Sequence, residues 1–459
     1  MSITSTELPR VCVIGAGSSG IATAKVLHER GVPFDCYELS DRVGGNWVWG
    51  NSNGVSSSYK SLHINTSRQR MEFSDFPMPD DPPDFARHDQ IAAYFDAYVD
   101  HFGFRDRIRF ETGVEHVARR DDGVFEVTIS TGETLEYDAV AVANGHHWDP
   151  RMPEPASPGA DTFRGEQIHS HDYKHEAQLA GKRVVVLGMG NSAMDIAVDA
   201  SYHAESVVLA ARRGAHIIPK YLFGKPMDQL GGARLPAWLH WPLTRAMLRM
   251  STGDLTRYGL QKPDHRFGEA HPTISGRILD RLAHGAVTPK PNIAALDGDI
   301  VRFVDGSEVR AALVVYCTGY RITFPFFDEG FVSAPDNELS LYKRVFHPEI
   351  AGLSFVGLVQ PLGAIMPIAE RQSQLIATQL AGGYALPHAE RMQRDIECRR
   401  EAIRKRYVAS KRHTIQVDFD DYMRELEREM RAGARRAARG QRRPIVHPRA
   451  RVATSPAAA

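Results

Sequence analysis

Two glycine-rich turns constrain what this chain can fold into more than any other feature. The first reads G-A-G-S-S-G from Gly15 to Gly20 and follows the short apolar run Val11–Ile14. The second reads G-M-G-N-S-A from Gly188 to Ala193 and follows the apolar run 183–187. Each precedes a pattern typical of a helix, and such a turn lets backbone N–H groups approach a pyrophosphate at the helix N-terminus. The sequence therefore predicts two Rossmann-like units, each able to bind a dinucleotide.

The residues after the first turn indicate which nucleotide it binds. An apolar stretch from Phe34 to Leu39 is predicted to be the second strand of a βαβ unit, and Glu38 stands at its end. A carboxylate at this place hydrogen-bonds the ribose hydroxyls of FAD or NAD and repels a ribose 2′-phosphate. The alternative is an ordinary glycine-rich turn in another α/β sheet.

A second pair of glycines follows at Asp41–Trp47, which reads D-R-V-G-G-N-W. Adjacent glycines allow the backbone to pass close to a bulky ligand, and the tryptophan after them could cover it. An ordinary turn with a core tryptophan explains the pattern equally well.

The second turn differs from the first at the position of the acidic residue. The offset from Gly15 to Glu38, applied to Gly188, leads to Ala211, and two arginines, Arg212 and Arg213, come directly after it. Guanidinium groups in place of a carboxylate favour a 2′-phosphate, so this unit is predicted to bind NADPH. A solvated surface pair of arginines is the alternative.

Apolar periodicity predicts further elements along the chain. Helices are expected at 88–102, from about Ile368, at 389–405 and at 418–431. Strands are expected at 108–110, 124–130, 134–137, 137–143, 206–210, 301–303, 313–316 and 354–359. Residues 224–261 fit no simple α/β unit and hold a dense apolar patch, which is either a lid, a subunit interface, a membrane-surface contact or a locally buried helix. Its members are Trp238, Leu239, Trp241, Leu243, Met247 and Leu248.

Composition excludes several classes of function. Lys plus Arg and Asp plus Glu both number 56, which gives no general case for binding nucleic acid. The four cysteines are widely spaced without a C-x-x-C pair, which argues against a disulfide scaffold, a zinc site and a dithiol reductase and favours a reducing, cytoplasmic compartment. We expect no secretion signal and no membrane-spanning helix. After Glu429 come arginines but no acidic residue, a composition typical of a disordered tail.

The most specific pattern lies between the two turns, in the linker F-R-G-E-Q-I-H-S-H-D-Y-K at 163–174. Its Phe163, Gly165, His169 and Tyr173 fit F-x-G-x-x-x-H-x-x-x-Y/F, the signature of the flavin-containing monooxygenases, which are class B flavoprotein oxygenases. The chain resembles that family from about Val11 to Leu426. The matching segments are both glycine turns, V-G-G-N-W, Y-K-S-L-H-I-N-T-S, S-D-F-P-M-P-D-D, C-T-G-Y, F-V-G-L-V-Q-P-L-G-A-I-M-P and T-I-Q-V-D-F-D-D-Y-M.

The resemblance implies an enzyme that contains FAD, consumes NADPH and O2, and oxygenates a soft nucleophilic nitrogen or sulfur. Hydride passes from NADPH to FAD, the reduced flavin and dioxygen form a C4a-hydroperoxyflavin, and an amine or thioether attacks the distal oxygen. The cofactor carries the chemistry while the protein excludes water, which would release peroxide. Few acid/base residues are expected, and His169 and Tyr173 are interpreted as coupling the two units.

The family's site residues transfer to matching positions. Asn65 matches the active-site asparagine between flavin and NADP and is the residue expected beside the oxygen chemistry. The residues expected at FAD are Gly15, Gly17, Ser18, Ser19, Gly20, Glu38, Gly45, Asn46, Trp47, Asn65, Thr66, Val114 and Gln360. Those expected at NADPH are Gly188, Gly190, Asn191, Ser192, Ala193, Asp195, Arg212 and Arg213. No metal is expected. Ala193 and Asn46 depart from the family, which usually has glycine and often has an apolar residue there.

The implied fold is α/β, with two Rossmann-like dinucleotide-binding domains in a three-layer FAD/NAD(P)-binding arrangement. The NADP domain is expected to be inserted in a split FAD domain. The predicted boundaries are 1–165 for the first FAD part, 166–320 for the NADP domain with a helical insertion at about 224–275, 321–430 for the second FAD part, and 431–459 for the arginine-rich tail.

Two alternative functions stay open. The sister family of Baeyer–Villiger monooxygenases, which oxidise ketones, normally has tryptophan where this chain has Tyr173, so the tyrosine favours nitrogen or sulfur. A non-oxygenating NADPH/FAD reductase or redox sensor is the other alternative. The expected partners are a small amine or thioether and O2, without nucleic acid or a membrane span, and a homodimer is compatible with the family.

Overall fold

The fold rests on two parallel five-stranded sheets, one for each glycine turn. The structure is a computed structural model that describes residues 8–51, 53–81, 83–230, 237–407 and 414–440, with the backbone alone at 237–243 and 245. The strands up to the linker are Val11–Ile14 (β1), Phe34–Tyr37 (β2), Ile108–Arg109 (β3), Val114–Arg119 (β4), Phe125–Ile129 (β5), Thr134–Tyr137 (β6), Ala139–Val142 (β7) and Asp149–Pro150 (β8). The helices are Ser18–Glu29 (α1), Arg68–Met71 (α2) and His88–Phe102 (α3).

The rest of the chain adds the second sheet and then returns to the first. Its strands are Glu166–His169 (β9), Arg183–Leu187 (β10), Ser206–Ala210 (β11), Ile217–Ile218 (β12), Tyr221–Leu222 (β13), Lys225–Pro226 (β14), Thr273–Ile274 (β15), Thr288–Lys290 (β16), Ile293–Asp297 (β17), Ile300–Phe303 (β18), Glu308–Arg310 (β19), Leu313–Tyr316 (β20), Tyr320–Arg321 (β21), Leu353–Phe355 (β22), Gln360–Leu362 (β23) and Gln416–Asp418 (β24). Its helices are Asn191–His203 (α4), Met227–Leu230 (α5), Ala237–Thr252 (α6), Ile278–Ala283 (α7), Met366–Leu380 (α8), Ala389–Arg406 (α9) and Phe419–Ala438 (α10).

The first sheet has the order β22-β7-β1-β2-β3, and all its pairs are parallel. Every residue of β1 and β7 is buried, as expected for central strands covered on both faces. Helices α1, α3 and α8 contribute to the core on one face, and the antiparallel sheet β4-β5-β6 packs on the other. Strand β22 comes from beyond the second sheet, so the first sheet is assembled from two separated parts of the chain.

The second sheet has the order β16-β11-β10-β20-β9 and is also parallel throughout. Helices α4 and α7 pack on one face, and the antiparallel sheet β17-β18-β19 packs on the other. Each unit is therefore a three-layer arrangement with the dinucleotide topology. The predicted fold class, with one Rossmann-like unit inserted in the other, is confirmed.

Several elements differ from the sequence prediction. No strand was predicted in the linker, yet Glu166–His169 forms the edge strand β9 of the second sheet. An edge strand has one neighbour, so it does not need the apolar run by which the central strands were found. The strand predicted at 354–359 ends at Phe355, shortly before Gly357, which has a positive φ.

The prediction of a disordered tail from residue 431 onward is wrong for its first part, because α10 continues to Ala438. The small residues Gly433 and Ala437 let this turn of helix pack closely, and Gly433 lies against the ring of Tyr384. Arg436 pairs with the buried Glu429 and donates to the carbonyl of Ala385 at 2.8 Å. Residues 441–459 lie outside the described part of the chain.

The insertion predicted at 224–275 contains α5 and α6, but it also supplies β15. The side chains of Trp238, Leu239, Trp241 and Leu243 lie outside the described residues. Leu248 is buried, whereas Met250 is 75 % exposed. Among the helices that the structure describes, none combines the length and the apolar character that crossing a membrane requires.

Candidate functional site

A cleft of about 540 Å³ lies at the carboxyl ends of the strands of the first sheet and is called the first cleft below. It brings together all of the residues predicted at FAD except Gly20. The lining residues from that prediction are Gly15, Gly17, Ser18, Ser19, Glu38, Gly45, Asn46, Trp47, Asn65, Thr66, Val114 and Gln360. Ligands of open α/β sheets bind at this edge, so the position agrees with a nucleotide site.

Two glycines of the first turn, Gly15 and Gly20, are required by close backbone contacts. Gly15 has a φ of +96°, and a Cβ there would lie 2.8 Å from the carbonyl oxygen of Ala143. A Cβ on Gly45 would lie 3.1 Å from the Cα of Gly17, so the two glycine segments touch. Gly20 faces inward, where a Cβ would lie 1.7 Å from the oxygen of Gly15. Gly20 therefore fixes the helix against the turn and does not line the cleft.

Glu38 is buried at the end of β2 with its carboxylate already oriented. Oε2 accepts from the backbone N–H of Ala16 at 2.7 Å, and Oε1 accepts from the backbone N–H and the hydroxyl of Ser40. Two carboxylate oxygens offer about four lone-pair sites, of which these bonds use three, so acceptor capacity remains for one ribose hydroxyl. A carboxylate acceptor at this position fits a dinucleotide without a 2′-phosphate.

The turn that carries Asn65 and Thr66 forms one wall of the first cleft. Thr66 is buried and Asn65 is half-buried. The neighbouring Ile64 donates its N–H to the carbonyl of Ala86 at 3.0 Å, which anchors the turn to the segment before α3. Across the cleft, the side-chain oxygen of Asn46 accepts from the N–H and the hydroxyl of Ser57, both at 2.8 Å.

The second unit contributes to the same cleft. Asn191, His271 and Ile274 line it, and the amide oxygen of Asn191 accepts from the N–H of Ile274 at 2.9 Å. Asn191 is the first residue of α4, directly after the second glycine turn. The N-terminus of α4 therefore opens onto the first cleft, so the two Rossmann-like units meet at this cleft.

His146 and Trp148 also line the first cleft, and they were not among the predicted site residues. Burial lowers the pKa of His146 well below its ordinary value, so the imidazole is neutral. His146 Nε2 and Trp148 Nε1 are buried without a hydrogen-bond partner among the described residues. Polar atoms left unsatisfied in a cleft wall are consistent with a bound polar ligand. His146 and Trp148 both belong to the run N-G-H-H-W at 144–148, which directly follows the end of β7.

A larger cleft of about 1360 Å³ lies at the carboxyl edge of the second sheet and is called the second cleft below. Gly188, the buried Ala211, Arg212 and Arg213 line it. Arg213 lies 3.4 Å from a carboxylate oxygen of Asp264, whereas Arg212 is exposed without an ion pair in the described part of the chain. The unpaired guanidinium fits a 2′-phosphate.

Two arginines outside the glycine fingerprint line the second cleft as well. Arg151 is half-buried, and burial together with the like charge of Arg321 lowers its pKa. Arg321 lies 3.7 Å from Asp149. Arg151 follows β8 and Arg321 ends β21, far from the second glycine turn in sequence, so no spacing rule pointed to them.

The remaining residues predicted at NADPH do not line the second cleft. Gly190 caps α4, and the buried Ala193 packs close to Gly188. Neither Ser192 nor Asp195 lines either cleft. Asp195 accepts from the hydroxyl of Tyr59 at 2.6 Å, and burial raises the pKa of its carboxyl group to about 6. Their assignment to NADPH stays a prediction.

The linker residues join the two units. The hydroxyl of Tyr173 donates to Asp199 on α4 at 2.8 Å, and its ring packs against Tyr59 at 5.7 Å between centroids. The ammonium of Lys174 donates to the carbonyls of Ser56 and His171 at 2.6 and 2.7 Å. Gly165 lies so close to the ring of Phe163 that a Cβ would approach it to 2.5 Å. This segment therefore holds the first unit to the second.

His169 is buried and unsuited to general base work. Its Nδ1 accepts from the N–H of His171 at 3.0 Å, and burial lowers its pKa to about 4. The ring stays neutral at physiological pH and acts as a structural acceptor. Within the described residues, no group of three or more His, Cys, Asp or Glu side chains is suited to hold a metal ion.

The chain is similar to known oxygenases along nearly its whole length. The family model described as flavin-binding monooxygenase-like matches residues 9–435. Flavin-containing monooxygenase 5 of Oryctolagus cuniculus is 39% identical over 437 residues, which are 91% of this chain and 82% of that protein. Dimethylaniline monooxygenase [N-oxide-forming] 2 of the same species is 34% identical over 92% of this chain and 83% of that protein. Among solved structures, S-allyl-L-cysteine S-oxygenase from Allium sativum superposes with a TM-score of 0.70 at 26% identity, covering 95% of this chain and 94% of that chain.

Proposed function

Because the chain belongs to the flavin-binding monooxygenase-like family, we propose that this FAD-containing, NADPH-dependent monooxygenase oxygenates a soft nucleophilic nitrogen or sulfur. The observation that carries the proposal is that one cleft joins the glycine turn of the first unit to Asn191 and Ile274 of the second, with Asn65 on its wall. The curated relatives include an N-oxide-forming enzyme, and the superposed structure is an S-oxygenase.

We propose that the residues of the first cleft bind and orient FAD, which when bound supplies hydride acceptance and oxygen activation. The N-terminus of α1, with Ser18 and Ser19, is placed to hold a pyrophosphate. Glu38 is placed to accept from a ribose hydroxyl. In the second cleft, Arg212 is placed to bind the 2′-phosphate of NADPH, as the buried Ala211 leaves no carboxylate to repel it.

At the meeting point of the two units, the chain excludes water and orients the substrate. Leu62, Met71 and Ile274 give the cleft an apolar lining beside Asn65. An apolar wall keeps bulk water from the reacting atoms, where water would release hydrogen peroxide in place of product. Asn65 has a side-chain amide that can donate to an acceptor in the cleft without changing its charge.

The choice of nitrogen or sulfur over a ketone rests on Tyr173. Its ring is buried and its hydroxyl is bonded to Asp199, so the residue shapes the joint between the units. The Baeyer–Villiger alternative and the non-oxygenating alternative are outcomes of the test below.

The test is an assay of the purified yellow protein with NADPH and three probes: trimethylamine, a thioether and cyclohexanone. NADPH consumption, oxygenated product and hydrogen peroxide are measured in parallel. We expect the N-oxide or the sulfoxide to form with little peroxide. Turnover of the ketone alone would establish the Baeyer–Villiger alternative, and NADPH oxidation that yields only peroxide with every probe would establish the reductase.

We also propose a reducing, cytoplasmic compartment and a homodimer. The first is supported by the four cysteines, which are all free, two of them buried. The second rests on the family alone, and light scattering of the purified protein decides it.

A further inference from the structure

The turn at 64–67, which carries Asn65 and Thr66, is held at both ends by side chains of the second unit. The ammonium of Lys220 donates to the carbonyl oxygen of Ile64 at 3.0 Å. On the other side, the N–H of Ser67 donates to Oδ2 of Asp228 at 2.7 Å, and the hydroxyl of Ser67 donates to the same oxygen at 3.0 Å. The residue before Asn65 and the residue after Thr66 are therefore both fixed by hydrogen bonds to charged groups.

The desolvation of Lys220 lowers the stability of the folded protein. Its side chain lies over the ring of Phe85, 4.8 Å from the centroid, and burial lowers its pKa. It has no carboxylate within ion-pair distance among the described residues; Asp195 and Arg277 are the charged groups whose fields reach it. A lysine desolvated without an ion pair costs stability, and its hydrogen bond within the described part of the chain is to the carbonyl of Ile64.

Asp228 belongs to α5 and has a neighbour that strengthens the contact. The amide nitrogen of Gln229 donates to the hydroxyl of Ser67 and to the side-chain oxygen of Gln69, both at 3.0 Å. Ser67 is wholly buried. The second oxygen of Asp228 is buried without a partner among the described residues, so the carboxylate is committed to Ser67.

Both residues belong to one segment, 217–230, which we call the strap. It consists of β12, Lys220, the β13–β14 hairpin and α5. Strand β12 pairs with β15, whose Ile274 lines the first cleft and donates to Asn191 at the start of α4. Thr273 of β15 donates to the carbonyl of Met189 in the second glycine turn. The strap thus connects the second fingerprint to the turn of Asn65 through backbone pairs and hydrogen bonds.

We propose that Lys220 and Asp228 are positioning residues that fix the Asn65–Thr66 turn against the first cleft from the second unit. The inference rests on the proposed function, since it takes Asn65 as the residue beside the oxygen chemistry. If only one end of the turn is held, the amide of Asn65 is displaced. Small displacements of such groups lower the rate of the reaction. Asp228 thereby gives a role to the start of residues 224–261, which the sequence left without one.

The first test measures the turn itself in the FAD-loaded enzyme. Lys220→Met keeps the apolar stem over Phe85 and removes the donor, and Asp228→Ala removes the acceptor for Ser67. We expect amide hydrogen exchange in residues 62–71 to become about tenfold faster in each variant, as for the loss of a hydrogen bond to a charged group. The visible absorption band of the bound flavin is expected to shift. Lys225→Met is the matched control, because Lys225 is exposed on the same hairpin.

The second test separates positioning from mere support. We expect the peroxide released per NADPH oxidised to rise several-fold in both variants, while the anaerobic rate of flavin reduction by NADPH and the FAD content stay at wild-type levels. Asp228→Asn keeps an oxygen acceptor for Ser67, so its ratio of peroxide released to NADPH oxidised should return most of the way to the wild-type value. If one of the two variants fails to fold, the other variant still tests the proposal.

The outcomes are distinct from those that test the proposed function. Unchanged exchange at 62–71, or faster exchange with an unaltered flavin spectrum and peroxide ratio, overturns the positioning role. If the wild-type enzyme oxygenates none of the probes, the proposed function fails, and exchange together with the flavin spectrum still decides whether Lys220 and Asp228 position the turn.

Discussion

Arg212 and Arg213 are adjacent in the sequence but differ in what they are free to bind. Arg213 is close to Asp264, whereas Arg212 has no such partner in the described part of the chain. We predict that Arg212→Ala raises the KM for NADPH by roughly 10- to 100-fold, the effect of losing a hydrogen bond between charged groups. The KM for NADH should change little, because NADH has no 2′-phosphate.

Steady-state kinetics with both coenzymes checks this prediction. Arg213→Ala is the comparison, and its effect on NADPH should be the smaller one, since its charge is partly neutralised already. An equal rise of the KM for both coenzymes in Arg212→Ala would contradict a 2′-phosphate contact.

Gly20 tests the backbone contact that shapes the first turn. We predict that Gly20→Ala loses bound FAD, because its Cβ would lie 1.7 Å from the oxygen of Gly15 and would force the helix away from the turn. The ratio of flavin to protein absorbance after purification measures the loss. Gly276→Ala is the control, since nothing lies within 4 Å of a Cβ there. A yellow Gly20→Ala protein would show that the turn tolerates the shift.

The sequence was informative about single residues where they follow one another in a fingerprint. Gly15, Gly17 and Glu38 line one cleft because they follow two neighbouring parallel strands, whose carboxyl ends lie at the same edge of the sheet. Arg151 and His146 were missed because they come from segments that only the tertiary fold brings to the clefts. Asp195 was predicted at NADPH from the fingerprint, yet it lines neither cleft and bonds to Tyr59 of the first unit.

At the scale of elements, α10 shows how composition misled the prediction of disorder. Arg436 has 13% and Glu429 10% of its side chain exposed, and the hydroxyl of Tyr384 also donates to Glu429 at 2.8 Å. We predict that Arg436→Ala destabilises the protein by about 3 kcal/mol, because it leaves a buried carboxylate without its cation. Thermal unfolding measures it, with the exposed Arg435→Ala as the control. Equal effects of the two substitutions would mean that the last turns of α10 do not dock.

Helix α4 carries a group that makes stability depend on pH. Burial raises the pKa of Asp195 from 3.8 to about 6. The folded protein therefore binds this proton more tightly than the unfolded chain, and the stability it contributes is present below pH 4 and is lost as the pH rises to about 6. We predict that the Tm of Asp195→Asn, relative to wild type, rises across this interval and then levels off.

A series of thermal unfolding curves at different pH values checks the prediction for Asp195. Asp254→Asn offers a contrast, because hydrogen bonds from Thr256 lower the pKa of Asp254 and its contribution is lost as the pH falls. A constant difference between Asp195→Asn and wild type would contradict the assigned shift.

Elements could be predicted where one physical signal dominates. The buried central strands β1, β10 and β11 and the amphipathic helix α3 were located to the residue by apolar runs and helical spacing. The strands β4, β9 and β16 were not predicted. They lie in a small sheet or at an edge, where one face or one side meets solvent, so their residues are mixed in polarity.

For the molecule as a whole, the linker at 163–174 is the segment that bonds to both Rossmann-like units. Lys174 donates to Ser56 and its own carbonyl accepts from Trp49 at 2.9 Å. We predict that Lys174→Met slows anaerobic flavin reduction by NADPH roughly tenfold, because small misplacements of reacting groups are costly, while FAD content is unchanged. Stopped-flow spectroscopy measures the rate, and Lys182→Met, which removes a pair with Glu166 near the surface, is the control. Loss of FAD in place of slower reduction would place Lys174 in the first unit alone.

The path of the chain through the first sheet has a consequence for how the protein is made. Strand β7, buried along its whole length in the finished fold, acquires its outer neighbour β22 only at residues 353–355. During translation the entire second unit emerges from the ribosome before that neighbour exists. Until then β7 is an open sheet edge of apolar residues, the kind of surface that pairs with other chains. The first sheet is therefore completed only after the second unit has been synthesised.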